Sequence, residues 1–217
     1  MAPFPCNTPL SIPGPDGSLD ATTSCPVVGE PKATAIVCHP HPLYGGSMDN
    51  KVVHTLARSF VELGLRTVRF NFRGVGASTG TFSQGDGETE DVLAVANWVR
   101  ERLPAEILWF AGFSFGAYMA LRAAERFPVA QLVLVAPPVQ LYPNLGSTPR
   151  PRAPSLVLQG EDDDVVPLDS VRSWVDTLNP KPLLQTFPGV GHYFHGRLND
   201  LRAAIHDALA PTLTNSN

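Results

Sequence analysis

Between Ala33 and Leu209 the chain alternates short runs that are apolar almost throughout with longer segments whose apolar residues recur every three to four positions. Few folds accept that pattern. Ala33 to Cys38 is one such run, and the segment Asn50 to Leu63 places Val53, Leu56, Ala57, Phe60 and Val61 at helical spacing. The pair then recurs. Strand Thr67 to Phe72 precedes a helix over about Gly87 to Arg102, and strand Ile107 to Gly112 precedes a helix over about Phe115 to Arg126. Strand Gln131 to Val135 comes next, then strand Ser155 to Gln159 with helix Leu168 to Leu178. Strand Leu183 to Phe187 with a helix over about Leu198 to Leu209 completes the series. Strands such as Leu132-Val133-Leu134-Val135 need cover on both faces, so the fold class is α/β: a mostly parallel, doubly wound sheet with crossover helices. Residues 1–32 read differently, as an antiparallel edge hairpin of Thr8 to Ile12 and Ser18 to Thr23 around Pro15-Asp16-Gly17. The 217 residues are expected to form one domain, with a tail from Pro211 to Asn217 that frays.

Charge and composition remove several function classes. The net charge is −4, with only three lysines, so nothing draws the chain to nucleic acid or to an anionic membrane. No apolar run approaches the roughly 18 residues of a membrane-spanning helix. Met1 to Leu10 has neither a basic region nor a continuous apolar segment, so no secretory signal is expected. Cys6, Cys25 and Cys38 are an odd number at uninformative spacings, which favours a reducing compartment over a disulfide framework and so a cytoplasmic protein.

Chemistry concentrates after the strands. Gly112-Phe113-Ser114-Phe115-Gly116 is a G-x-S-x-G pentapeptide at a predicted strand-to-helix junction. So tight a turn pushes a serine Oγ out at the carboxyl edge of the sheet, and it tolerates only small residues two positions to either side. The Phe115 N–H, at the helix N-terminus, can then face a developing oxyanion. A serine hydroxyl is a weak nucleophile and needs a base oriented by a third group. Acids follow strand Ser155 to Gln159 in Gly160-Glu161-Asp162-Asp163-Asp164-Val165-Val166-Pro167, and a histidine follows strand Leu183 to Phe187 in Pro188-Gly189-Val190-Gly191-His192. His54 and His206 fall inside predicted helices. Cys38, His39 and His41 lack a plausible set of further metal ligands, so no metal is expected. Gly74-Val75-Gly76-Ala77-Ser78-Thr79-Gly80 imitates a dinucleotide fingerprint, but its third glycine is one residue late and a loop continues where a helix is required. Asp86 or Glu88 is better read as favouring the N-terminus of the next helix.

Taken together, four segments resemble the α/β-hydrolases: His39-Pro40-His41-Pro42 with Gly45-Gly46, Asn71-Phe72-Arg73-Gly74-Val75-Gly76, the Gly112 to Gly116 pentapeptide, and Gly191-His192-Tyr193-Phe194-His195-Gly196. Within that family they are similar to the small, lidless bacterial serine hydrolases and carboxylesterases related to dienelactone hydrolases, over about Ala33 to Leu209. The resemblance implies the chain order nucleophile, acid, base, hence Ser114, one of the acids, and His192, with His195 as the competing histidine. The family's glycine, two residues, acid, two residues, then Val-Pro, laid on Gly160 and Pro167, selects Asp163; Asp162 and Asp164 are one residue out of register. It also implies a second oxyanion donor in the loop after the first parallel strand. Pro40 and Pro42 have no N–H, and aligning His41-Pro42 with the family's His-Gly implies Leu43, with Tyr44 second.

The expected activity is hydrolysis of small soluble carboxylic esters through an acyl-enzyme, with a small-molecule ester as the only partner and no cofactor. The same residues would serve a thioesterase, a lactonase or a small peptidase, and a binding protein of this fold is the non-catalytic alternative. Tyr44, Met48, Phe82, Tyr142, Tyr193 and Phe194 are candidate pocket residues. Pro137 to Pro154, where related hydrolases insert a cap, has six prolines and too few residues for a helical cap, so the site is expected to be open.

Overall fold

The computed structural model describes residues 3–142 and 148–214. In chain order the elements are strands β1 (Pro9–Gly14), β2 (Gly17–Ser24) and β3 (Thr34–Cys38), helix α1 (Lys51–Glu62), strand β4 (Arg66–Phe70) and helix α2 (Asp86–Arg102). Strand β5 (Leu108–Phe113), helix α3 (Phe115–Ala124), strands β6 (Gln131–Val135) and β7 (Ser155–Gly160), helix α4 (Leu168–Asp176), strand β8 (Leu183–Phe187) and helix α5 (Leu198–Thr214) follow. They form one eight-stranded sheet in the order β1-β2-β4-β3-β5-β6-β7-β8. Strands β3 to β8 are parallel, and the β1–β2 hairpin joins antiparallel through β2 to β4. This is the α/β-hydrolase arrangement that the sequence led us to expect.

Alternation along each strand sends neighbouring residues to opposite layers. Ile36, Phe110, Leu132 and Leu134 pack under α2, α3 and α4, while Val37, Trp109, Ala111 and Val133 pack under α1 and α5. Winding reverses at β3, which lies between β4 and β5, so the connections leaving β3 and β5 diverge and open a crevice at the carboxyl edge. No helix lies between β6 and β7 among the described residues, so nothing of that kind covers the crevice. Nor is any helix among them long and apolar enough to cross a membrane.

Three expectations are corrected. Strand β4 stops at Phe70, because the Asn71 N–H turns to the Asp20 carbonyl (2.7 Å) and the Phe72 N–H to His39 Nε2 (3.0 Å). Helix α5 does not fray at Pro211 but continues to Thr214, with Leu213 packed against the α1/α5 layer. Cys6 and Cys25 form a disulfide. The hairpin register explains the pairing: β1 faces β2 with Pro9 opposite Thr22, and the same register extended outwards sets Cys6 opposite Cys25, where Asn7 Oδ1 accepts the Cys25 N–H. The bond removes the ground on which the cysteine count pointed to a reducing compartment.

The imitation fingerprint is a connection pinned at both ends. Arg73 donates to both Asp91 carboxylate oxygens (Nη2 to Oδ1 2.7 Å, Nε to Oδ2 3.0 Å), and its own N–H also reaches Oδ2. That buried pair, which pushes the Arg73 guanidinium pKa further up, anchors the loop to α2. Glu88, also buried, accepts the Ser83 and Gly85 N–H groups at 2.8 and 2.7 Å and so starts that helix. Asp86 pairs with Arg122.

His39, at the end of β3, ties the same region to the crevice. Its Nε2 accepts the Phe72 N–H, so Nδ1 carries the proton and donates to the Pro40 carbonyl at 2.6 Å. Burial holds its pKa down to about 4, against 6.5 for an ordinary histidine, despite the opposing hydrogen bond to Pro40. The folded protein therefore binds fewer protons than the unfolded chain between those two values. The contribution of His39 to stability is complete above pH 6.5 and is lost as pH falls towards 4, to a total of about 3 kcal/mol. Urea unfolding across this window should show wild type losing up to that much more stability than His39→Gln; parallel curves would contradict the buried neutral ring.

Candidate active site

The pentapeptide forms the turn expected of it. Phe113 ends β5, Phe115 begins α3, and Ser114 joins them at φ +54° and ψ −123°. For a residue with a side chain this conformation stores about 1–3 kcal/mol, held in place by its neighbours. The Ser114 N–H donates to the Val135 carbonyl of β6 at 2.8 Å, and its carbonyl accepts the Ala117 and Tyr118 N–H groups. A Cβ at residue 112 would come within 2.4 Å of the Gly116 backbone, and one at residue 116 within 2.4 Å of the Cys38 and His39 carbonyl oxygens. Glycine at both positions lets the turn close against the end of β3.

Ser114 Oγ lies 3.0 Å from His192 Nε2, and His192 Nδ1 lies 2.8 Å from Asp163 Oδ2. A carboxylate can only accept, so Nδ1 carries the proton and Nε2 presents a lone pair to the serine hydroxyl. The Asp163 and His192 side chains are both buried. Asp163 Oδ1 accepts the Val165 and Val166 N–H groups at 2.9 and 2.7 Å, and Oδ2 accepts Gln159 Nε2 at 3.0 Å besides the histidine. Four donors converge on one carboxylate. The loops bearing acid and histidine are laced together, since the Glu161 N–H donates to Phe187 O and the Asp162 N–H to Val190 O, both at 3.0 Å. Asp162, Asp164 and His195 are exposed and outside this chain of contacts; the His195 ring stacks on Tyr193.

The loop after β3 departs from expectation. Pro42–Tyr44 is a single 3₁₀ turn capped by His41, whose Nδ1 accepts the Leu43 N–H at 3.2 Å and whose carbonyl accepts the Tyr44 N–H at 3.1 Å. Both amides put forward as the second oxyanion donor are thus engaged within the turn. The N–H groups of His41 and Phe115 have no acceptor among the described residues. Burial lowers the His41 pKa, and its ring packs on Phe115 and Phe82 at 5.0 and 4.9 Å. Both His39 nitrogens are bonded within the protein, and burial pushes the Cys38 thiol pKa well up. Among the described residues, no three His, Cys, Asp or Glu side chains gather as metal ligands would.

A cleft of about 310 Å³ opens over Ser114 and His192. Of the candidate pocket residues, Tyr44, Tyr142 and Tyr193 line it, whereas Phe82 lies under His41, and Phe194 is wholly buried against Phe187. Met48 lies outside the lining and gives its N–H to Asn71. Sequence reasoning missed Asn50, Leu141 and Val165 in the lining, and Gln159 behind the acid. Gln159 carries no signal of its own in the chain, because a polar residue at a strand end is ordinary.

Comparison with known proteins identifies the family and the fold. A family model for the alpha/beta hydrolase fold matches residues 36–147. An alpha-beta serine hydrolase homologue from Coxiella burnetii is 44% identical, with a TM-score of 0.91 over 96% of this chain and 100% of its own. A Xanthomonas campestris protein described as an a/b serine hydrolase without lid is 43% identical, with a TM-score of 0.92 over the full length of both chains. An uncharacterised protein of Rickettsia prowazekii is 34% identical over 213 residues, 93% of this chain and 88% of that one. The chain belongs to the α/β-hydrolase family.

Proposed function

We propose that this hydrolase cleaves carboxylic esters by acyl transfer to Ser114, with His192 as general base and acid and Asp163 as its orienting partner. The observation that carries the reading is the unbroken relay from Ser114 Oγ through His192 to Asp163, with contacts of 3.0 and 2.8 Å. As Oγ attacks the ester carbonyl, its proton passes to Nε2. Asp163, held by four donors, stabilises the imidazolium without taking the proton. The carbonyl oxygen becomes an oxyanion, and the N–H groups of Phe115 and His41 receive it. Their lack of internal acceptors supports this pairing, and a donor left free in the ground state needs no reorganisation in the transition state. Collapse of the tetrahedral adduct breaks the bond to the alkoxy oxygen, which leaves as the alcohol with the proton from Nε2. Water then repeats the sequence on the acyl-enzyme, giving up one proton to Nε2, and releases the acid with Ser114 restored.

Gln159 acts through Asp163. Its Nε2 meets the same oxygen that holds the histidine and also donates to the Val166 carbonyl at 2.9 Å, while its buried Oε1 finds no partner among the described residues. An amide kept in the core with one oxygen unsatisfied is explained by what its nitrogen holds.

Kinetics on p-nitrophenyl acetate test these roles. Ser114→Ala should reduce turnover by about 10⁴-fold or more in a protein of unchanged melting temperature; near-normal turnover would overturn the assignment. Asp163→Asn should reduce kcat about 10³- to 10⁴-fold by fixing the wrong tautomer, with Asp164→Asn close to wild type. The reverse ranking would place the acid elsewhere. Gln159→Leu removes one donor from the carboxylate, which leaves more negative charge facing His192. The acid limb of the kcat/KM profile should then move to higher pH and kcat should fall about tenfold at nearly constant KM; an unmoved limb in a folded variant would reduce Gln159 to packing.

A further inference from the structure

Nine large apolar side chains stand in solvent among the described residues, and their distribution is uneven. Four line the cleft over Ser114: Tyr44 at 85% exposure, Leu141 at 52%, Tyr193 at 50% and Val165 at 41%. They come from four separate connections, after β3, β6, β8 and β7 respectively. Leu43, 68% exposed, adjoins Tyr44 in the 3₁₀ turn. The other four are elsewhere: Val27 and Val28 before β3, and Ile107 and Leu183 at the amino ends of β5 and β8, the opposite edge of the sheet. Single exposed apolar side chains need no explanation, whereas a cluster assembled around one opening marks a binding surface.

Among the described residues, the cleft has no Asp, Glu, Lys or Arg in its lining. Its polar groups are those of the relay, the tyrosine hydroxyls, His41 and Asn50, and burial favours the neutral form of the His41 ring. Nothing there would compensate a charge carried by the substrate, and desolvating an unpaired charge is expensive. The volume of about 310 Å³ accommodates the reacting ester group together with a hydrocarbon portion, which would lie against the four exposed apolar side chains of the lining.

We infer that the collar of Tyr44, Leu141, Val165 and Tyr193 is the binding surface for the hydrocarbon body of the substrate, and that the substrate class is uncharged, amphiphilic esters with a substantial apolar portion. This rests on the acyl-transfer reading and narrows its substrate. The collar does for this chain what the underside of a cap would do in a covered hydrolase: it removes the apolar part from water while the ester group sits at Ser114. The reaction also favours release. Ester and water give an alcohol and an acid, and the acid loses its proton to become a carboxylate, which this uncharged cleft does not hold.

The experiment is an acyl series of p-nitrophenyl esters from acetate to octanoate, each kept below its aggregation concentration, together with mono-p-nitrophenyl succinate. Full removal of a methylene from water is worth about fourfold and half-coverage about twofold, so kcat/KM should rise about two- to fourfold per methylene. The succinate monoester, with its carboxylate, should be at least tenfold poorer than butyrate. In Leu141→Ser/Val165→Ser, checked for folding by thermal melting, the octanoate-to-acetate ratio of kcat/KM should fall about tenfold. A series that is flat or falls with chain length, a succinate ester as good as butyrate, or an unchanged ratio in the double variant would overturn the inference while leaving ester hydrolysis intact. Absence of turnover on every ester would instead overturn the acyl-transfer reading beneath it.

Discussion

At Ser114 the backbone passes from strand to helix through a positive φ, and that passage is possible only because no Cβ stands at residues 112 and 116. The consequences extend through the molecule. With Gly116 against the Cys38 and His39 carbonyls, α3 sits down on the end of β3, while the Ser114 N–H is held by Val135 of β6. Three adjacent strands therefore share in fixing one side chain. They meet where the winding reverses, which is also where the crevice opens. Strain of about 1–3 kcal/mol is tolerable there because the surrounding packing over-determines the turn.

The groups that serve the serine are fixed in a different manner. Asp163 and His192 sit on loops, which are ordinarily the variable part of a fold, yet these two loops are bonded to one another and both side chains are buried, with His192 at the floor of the cleft. Burying an anion without partners would be prohibitive, and the Val165, Val166 and Gln159 donors make it tolerable before the histidine is added. On the other side of the crevice, His39 joins the end of β3 to the loop after β4, and the Arg73–Asp91 pair fastens that loop to α2. The floor of the site is thus rigid and polar. Its rim is apolar and open to water, and among the described residues no helix between β6 and β7 covers it.

The framework was legible because its signals are local. Wholly apolar runs and helical periodicity located strands β3 to β8 and the α-helices, the Pro15-Asp16-Gly17 turn signal located the β1–β2 hairpin, and Gly112, Ser114 and Gly116 carry the turn in their own spacing. Asp163 is singled out among its acidic neighbours only by the spacing that the family resemblance implies, laid on Gly160 and Pro167. What escaped depends on juxtaposition. Whether the Leu43 N–H is free depends on where the His41 ring points, and that is decided by the aromatic contacts of His41 with Phe82 and Phe115. Gln159 matters only because Asp163 folds back onto it. The Cys6–Cys25 bond was hidden by an odd cysteine count, although the hairpin register, once known, sets the two opposite each other. Pro211 suggested an end to α5, since proline lacks a donor and crowds the carbonyl four residues before it, but the helix continues to Thr214 with Leu213 packed against the α1/α5 layer.

The central claim is that one serine among thirteen is made nucleophilic by its place in the fold. Reaction with a fluorophosphonate followed by intact-mass measurement and peptide mapping tests it directly. A single adduct per chain, located on Ser114 and abolished by denaturing the protein first, is the predicted result. No adduct on the folded protein, or an adduct on any other residue, would contradict it.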